Sequence, residues 1–114
     1  MEFRNAYEDD QMAAAYARLE FPATYYLAYR DLPRIFADHV RGRRALDFGC
    51  GAGRSTRFVR ACGFDVIGVD IAETMLGRAR TIDPAGDYRL MSGTDFSPVA
   101  GSSFDLVFSG FTFD

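Results

Sequence analysis

Leu46-Asp47-Phe48-Gly49-Cys50-Gly51-Ala52-Gly53 is the stretch on which the reading of this chain turns. Residues 43–48 read as a short strand running into a glycine-rich turn, and residues 55–62 read as a helix, with Phe58 and Val59 inward and Gly63 as its stop. Where a strand passes through glycines into a helix, a ligand can approach the backbone closely. A side chain larger than hydrogen blocks that approach or resists the dihedrals it needs. Working outward, residues 64–69 form a compact apolar strand closed by Asp70. Residues 74–80 predict a helix with Met75, Leu76 and Ala79 on one side, and residues 88–91 a further strand. Residues 92–103 are rich in turn formers, and residues 104–108 read as a strong strand. Strands alternating with helices predict an α/β fold, a doubly wound parallel sheet.

Upstream of the loop the pattern is helical. Asn5 and Glu8 have the spacing of an N-terminal capping pair, and Met12, Tyr16 and Leu19 recur at helical spacing. Phe21-Pro22 breaks that helix and can start another, in which Tyr25 and Tyr29 share a face. Asp31 precedes Leu32-Pro33 as an N-cap does, with Leu32, Ile35, Phe36 and Val40 as the buried stripe and Gly42 as the stop. The expected organisation is a helical segment over residues 1–42, followed by the α/β part over residues 43–114.

Composition narrows the partners. The 114 residues are 48% hydrophobic, enough for one real core, with a net charge of −3. Every basic residue is an arginine, and the cluster Arg41, Arg43 and Arg44 reads as a solvated edge, not as a nucleic-acid patch. Cys50 and Cys62 make neither a disulfide framework nor a metal-site spacing, which suits a reducing compartment. His39, at the end of a helix, reads as a partner for the helix C-terminus. No stretch approaches the roughly 18 apolar residues of a membrane span, and the first residues lack the apolar run of a signal peptide. The expectation is a soluble cytoplasmic protein, with no membrane and no nucleic acid among its partners.

Two ligand chemistries compete for the glycine loop. A dinucleotide fingerprint needs Gly-x-Gly-x-x-Gly, but counting from Gly49 the sixth residue is Arg54, and from Gly51 it is Thr56. Asp47 also faces a pyrophosphate unfavourably, whereas it suits the cationic amino group of a ligand that carries an amino acid.

With these residues in view, the chain resembles the class I S-adenosylmethionine-dependent methyltransferases. Asp47-x-Gly49-x-Gly51-x-Gly53 is similar to the family's first motif, in which the acid and the loop glycines hold the methionine part of S-adenosylmethionine. Asp70, 17 positions after Gly53, matches the acid that binds both ribose hydroxyls. Ile71 and Met75 match apolar positions that line the ribose and adenine. Gly93-x-Asp95-Phe96 resembles the loop whose acid contacts the adenine amino group and whose next residue covers the ring. Phe104-Asp105-Leu106-Val107 resembles the fourth-strand motif. The N-terminal helices resemble the lid segment of small-molecule methyltransferases, where Tyr16, Tyr25 and Arg30 are candidates to contact the cofactor's carboxylate or close the substrate pocket. Arg30 can pair bidentately with a carboxylate.

The resemblance implies methyl transfer from S-adenosyl-L-methionine to a small-molecule acceptor, with S-adenosyl-L-homocysteine as product. It implies no metal, and it assigns no catalytic base. The family's sheet has seven strands in the order 3-2-1-4-5-7-6, of which these residues supply 3, 2, 1 and 4. The C-terminal half is therefore expected to be missing, which leaves a bare apolar edge at residues 104–108. Two expectations follow: self-association as a dimer through residues 104–114, or association with the missing part. A cofactor-binding module without turnover is the alternative function, and a nicotinamide-binding module the third.

Overall fold

In a computed structural model, the structure describes residues 29–110. The chain divides into two units, Met1–Asp38 and His39–Asp114. Helix α1 (Leu32–His39) follows Asp31, whose carbonyl accepts the Ile35 N–H at 3.1 Å. Pro33 is tolerated in the first turn because its missing N–H has no helical partner there. Phe36 is buried and His39 closes the last turn, as expected. Ile35 is a correction to the expected stripe, since it is 43% exposed. Each residue turns about 100°, so in a helix of two turns Ile35 falls off the side that Phe36 buries.

The second unit is a four-stranded parallel sheet of order β3-β2-β1-β4. Its elements are β1 (Arg44–Phe48), α2 (Arg54–Ala61), β2 (Asp65–Asp70), α3 (Glu73–Ile82), β3 (Asp87–Leu90), a 3₁₀ turn (Ser97–Val99) and β4 (Leu106–Phe108). This is the expected doubly wound half-sheet, with boundaries shifted by a residue or two. β1 lies in the middle, pairing Leu46 with Ile67 on one side and with Val107 on the other. Ala45, Leu46 and Asp47 are buried in succession, because a central parallel strand is covered on both faces.

The two faces differ in character. Leu46, Val69, Met91 and Val99 form one apolar cluster, with Phe48, Ile67 and Phe104 packed against it. Cys50, Leu76, Ala79 and Tyr88 form another, beneath the helices. The strand expected over 104–108 begins only at Leu106. Asp105 is used otherwise: its N–H donates to the Arg44 carbonyl at 2.8 Å, and its carboxylate accepts the Arg44 N–H at 3.0 Å. Gly42, at φ 97°, leaves the room that this carboxylate occupies. Among the described residues β4 pairs only with β1, and Val107 is 63% exposed. No helix among them is long and apolar enough to cross a membrane.

The order of the strands positions the site. The chain leaves β1, builds β2 and β3 on one side, and then returns to β4 on the other. Such a reversal opens a crevice at the carboxyl end of the first strand, and there a doubly wound sheet holds its ligand.

Candidate cofactor site

The loop leaving β1 takes the shape its glycines permit. Gly49, Gly51 and Gly53 have φ of 79°, 56° and 92°, in the left-handed region that ordinary side chains resist. The loop is stitched to the next strand. Gly49 and Cys50 both donate their N–H to the Val69 carbonyl, at 2.8 and 2.9 Å. Asp70, which ends β2, accepts the Gly51 N–H on Oδ2 and the Ala72 N–H on Oδ1, each at 2.8 Å. Its carboxylate thus ties the loop after β1 to the turn after β2. Each of its oxygens has a second lone pair with which to meet a ligand hydroxyl.

Asp47 is fully buried. Its Oδ2 accepts hydrogen bonds from Ser55 Oγ at 2.6 Å and Thr56 Oγ1 at 2.7 Å, so half of the carboxylate serves the protein. Ser55 and Thr56 open α2, where the positive end of the helix dipole favours an anion. Burial nevertheless pushes the Asp47 pKa up, against the lowering effect of those two hydroxyls. Oδ1 is buried without a partner. A buried carboxylate oxygen with nothing bonded to it calls for a donor, and a ligand ammonium is one that fits. The sequence reading missed Ser55 and Thr56. Their signal was two hydroxyl residues at the helix start, eight and nine positions after the acid.

The apolar candidates flank this carboxylate pair. Met75, half-buried on α3, brings its Cε within 3.4 Å of where a Cβ on Gly51 would stand. Ile71, next to Asp70, is 71% exposed. Phe96 is half-exposed and stacks on Phe48 at the end of β1, with ring centroids 6.2 Å apart. Asp95 is exposed, and its Oδ1 accepts the Ser97 N–H at 3.0 Å, an Asx turn that starts the 3₁₀ segment. That backbone bond holds its carboxyl below the usual range.

The structure therefore brings together Asp47, Gly49, Gly51, Gly53, Asp70 and Met75, with Ile71 adjoining Asp70 and Phe96 reaching the end of β1. Tyr16 and Tyr25 lie outside the described residues. Arg30 belongs to the first unit, exposed and 3.4 Å from its neighbour Asp31. Cys50 is unsuited to be a nucleophile, because burial pushes its thiol up to about 12.

A doubly wound sheet, a glycine loop at its switch point and an acid ending the second strand define a Rossmann-like cofactor-binding protein. The family model for the methyltransferase domain matches residues 46–114, and the chain belongs to that family. It is 34% identical over 105 residues to a malonyl-[acyl-carrier protein] O-methyltransferase of Enterobacter lignolyticus, covering 86% of this chain and 40% of that protein. It is 40% identical over 73 residues to a ubiquinone biosynthesis O-methyltransferase of Sinorhizobium fredii, covering 60% of this chain and 29% of that one. Among solved structures, it superposes with TM-score 0.60 and 30% identity on a SAM-bound amino pentose methyltransferase from Micromonospora echinaspora, covering 81% of this chain and 43% of that chain. An S-adenosylmethionine-dependent methyltransferase from Mesorhizobium loti gives TM-score 0.57 at 33% identity, covering 72% and 39%. The chain thus spans less than half the length of these relatives.

Proposed function

We propose that the protein binds S-adenosylmethionine at the carboxyl ends of β1, β2 and β3, and that its whole form transfers the methyl group to a small-molecule acceptor, leaving S-adenosylhomocysteine. The observation that carries this reading is the unpartnered, buried Asp47 Oδ1 beside a loop of positive-φ glycines. A cationic amino group satisfies that oxygen, whereas a pyrophosphate is repelled by it. The relatives support the reading, and both curated ones are named as O-methyltransferases.

The cofactor, when bound, supplies a methyl group already activated on a sulfonium. The protein's part is then to bind, align and exclude water. The bare backbone at Gly49, Gly51 and Gly53 admits the methionine end, and Asp47 Oδ1 accepts its ammonium. Asp70 accepts the ribose hydroxyls on its remaining lone pairs. Ile71 and Met75 line the ribose and adenine, Asp95 accepts from the adenine amino group, and Phe96 covers the ring.

Titration calorimetry of the chain with S-adenosylmethionine and S-adenosylhomocysteine tests the binding half of this reading. Saturable heat is expected for both and none for NADH; the reverse pattern overturns it. Turnover on pooled hydroxyl and amine acceptors tests the transfer half, and binding without turnover by the whole protein favours the bare binding module. We further assign the protein to the cytoplasm, supported by its two free thiols, Cys50 and Cys62. The outer edge of β4 is paired in the working protein, by a second copy or by a further part of it, a reading supported by β4 pairing only with β1 among the described residues.

A further inference from the structure

Tyr88, the second residue of β3, is no part of the glycine loop, yet its ring occupies the room that three glycines leave. A Cβ on Gly53 would stand 2.7 Å from the Tyr88 hydroxyl and 3.0 Å from Cε1. One on Gly68 would stand 3.0 Å from Cδ1, and one on Gly86 would strike Cε2. The ring therefore rests against the last loop glycine, the residue that caps α2. Its far end is tied down. The hydroxyl donates to Asp83 Oδ2 at 2.6 Å, and Arg60 Nη2 donates to Asp83 Oδ1 at 2.8 Å.

These partners span the helices behind the site. Arg60 lies in the last turn of α2, and Asp83 is the C-cap of α3. Arg60 holds the Asp83 carboxyl below its usual range, so the acceptor stays ionised. Burial, helped by Asp83, pushes the tyrosine hydroxyl above its ordinary value, so it stays a donor. One side chain thus touches the N-cap of α2 and, through Asp83, holds the other end of the same helix. The first turn of that helix carries Ser55 and Thr56, the two hydroxyls that orient Asp47.

We propose that Tyr88 is a positioning residue for the methionine end of the bound cofactor, acting through Gly53 and the first turn of α2. The proposal rests on the S-adenosylmethionine reading above. Ribose and adenine contacts fall to Asp70, Ile71, Met75, Asp95 and Phe96; of these Asp70 and Met75 meet the loop at Gly51, ahead of Gly53, on which the Tyr88 ring rests. Removing the ring lets the last turn of the loop sink, and displacements of about 1 Å at such a site cost one to two orders of magnitude.

The test compares two ligands, S-adenosylhomocysteine and 5′-methylthioadenosine, which lacks the amino-acid end. In Tyr88→Leu, affinity for the first falls about tenfold or more, while affinity for the second changes less than about twofold. Tyr88→Phe keeps the ring and recovers most of the loss; where the leucine variant fails to fold, Tyr88→Met, which also removes the ring, is read in its place with the same selective loss expected. An equal loss for both ligands means that Tyr88 merely supports the fold, and no loss for either means that the loop stands without it; each overturns the proposal. A wild-type chain that binds neither ligand removes the cofactor reading itself, and this inference with it.

Discussion

Replacing Asp70 by alanine separates two jobs that the structure gives to one carboxylate. In the free protein the Gly51 and Ala72 amides each lose a charged acceptor now 2.8 Å away. The site is half-buried and water can take over, so the loss in a urea melt is about 1–3 kcal/mol. In the complex the ribose hydroxyls lose their acceptor as well. Hydrogen bonds to a charged group contribute about 1.5–3 kcal/mol, so the dissociation constant rises about 10- to 150-fold. Titration calorimetry reads this loss, and a cycle assigns it. For the wild-type chain, 2′,3′-dideoxy S-adenosylhomocysteine binds more weakly than the parent ligand, whereas for Asp70→Ala the two bind alike. A folded variant with an unchanged dissociation constant refutes the reasoning. So does an undiminished penalty for the dideoxy ligand in Asp70→Ala, which makes Asp70 a strut for the loop and nothing more.

Gly51→Val abolishes binding, because valine resists the φ of 56° at this position and its branches crowd the Met75 methyl; retained binding with a normal circular dichroism spectrum shows that the turn is not the site. Asp47→Asn weakens cofactor binding by tenfold or so through loss of the charge on Oδ1, with neutral-pH stability unchanged or raised. Its sign follows from the raised pKa. The folded state holds that proton more tightly than the unfolded chain. The resulting stability is present below the ordinary carboxylate range and lost as pH rises through the folded value, and in the asparagine variant this dependence flattens in a melt series. Among the described residues β4 pairs only with β1, and its Val107 is exposed, which together support self-association. Light scattering at micromolar concentration is expected to give a dimer that Val107→Lys breaks, and a monodisperse wild-type monomer removes that expectation.

The sequence alone determined the alternation of strands and helices, the place of the glycine loop and the acid that ends β2. Each of these is local: glycines at positive φ, an apolar run and a helix start are written within a few neighbouring residues. Tertiary structure decided what the polar groups do. That an acid, Asp47, stands just before the glycine loop is legible in the chain, but which of its oxygens is left for a ligand is not. Only the packing of α2 onto β1 brings Ser55 and Thr56 to its Oδ2 and leaves Oδ1 bare. The strand over 104–108 read as five residues by hydrophobicity, but Asp105 was taken by the Arg44 backbone 61 positions away. Tyr88 carried no signal at all in the sequence. Its position against Gly53, Gly68 and Gly86 exists only once β3 lies beside β2, because a hole made by absent side chains is a property of the packed chain and of no residue by itself.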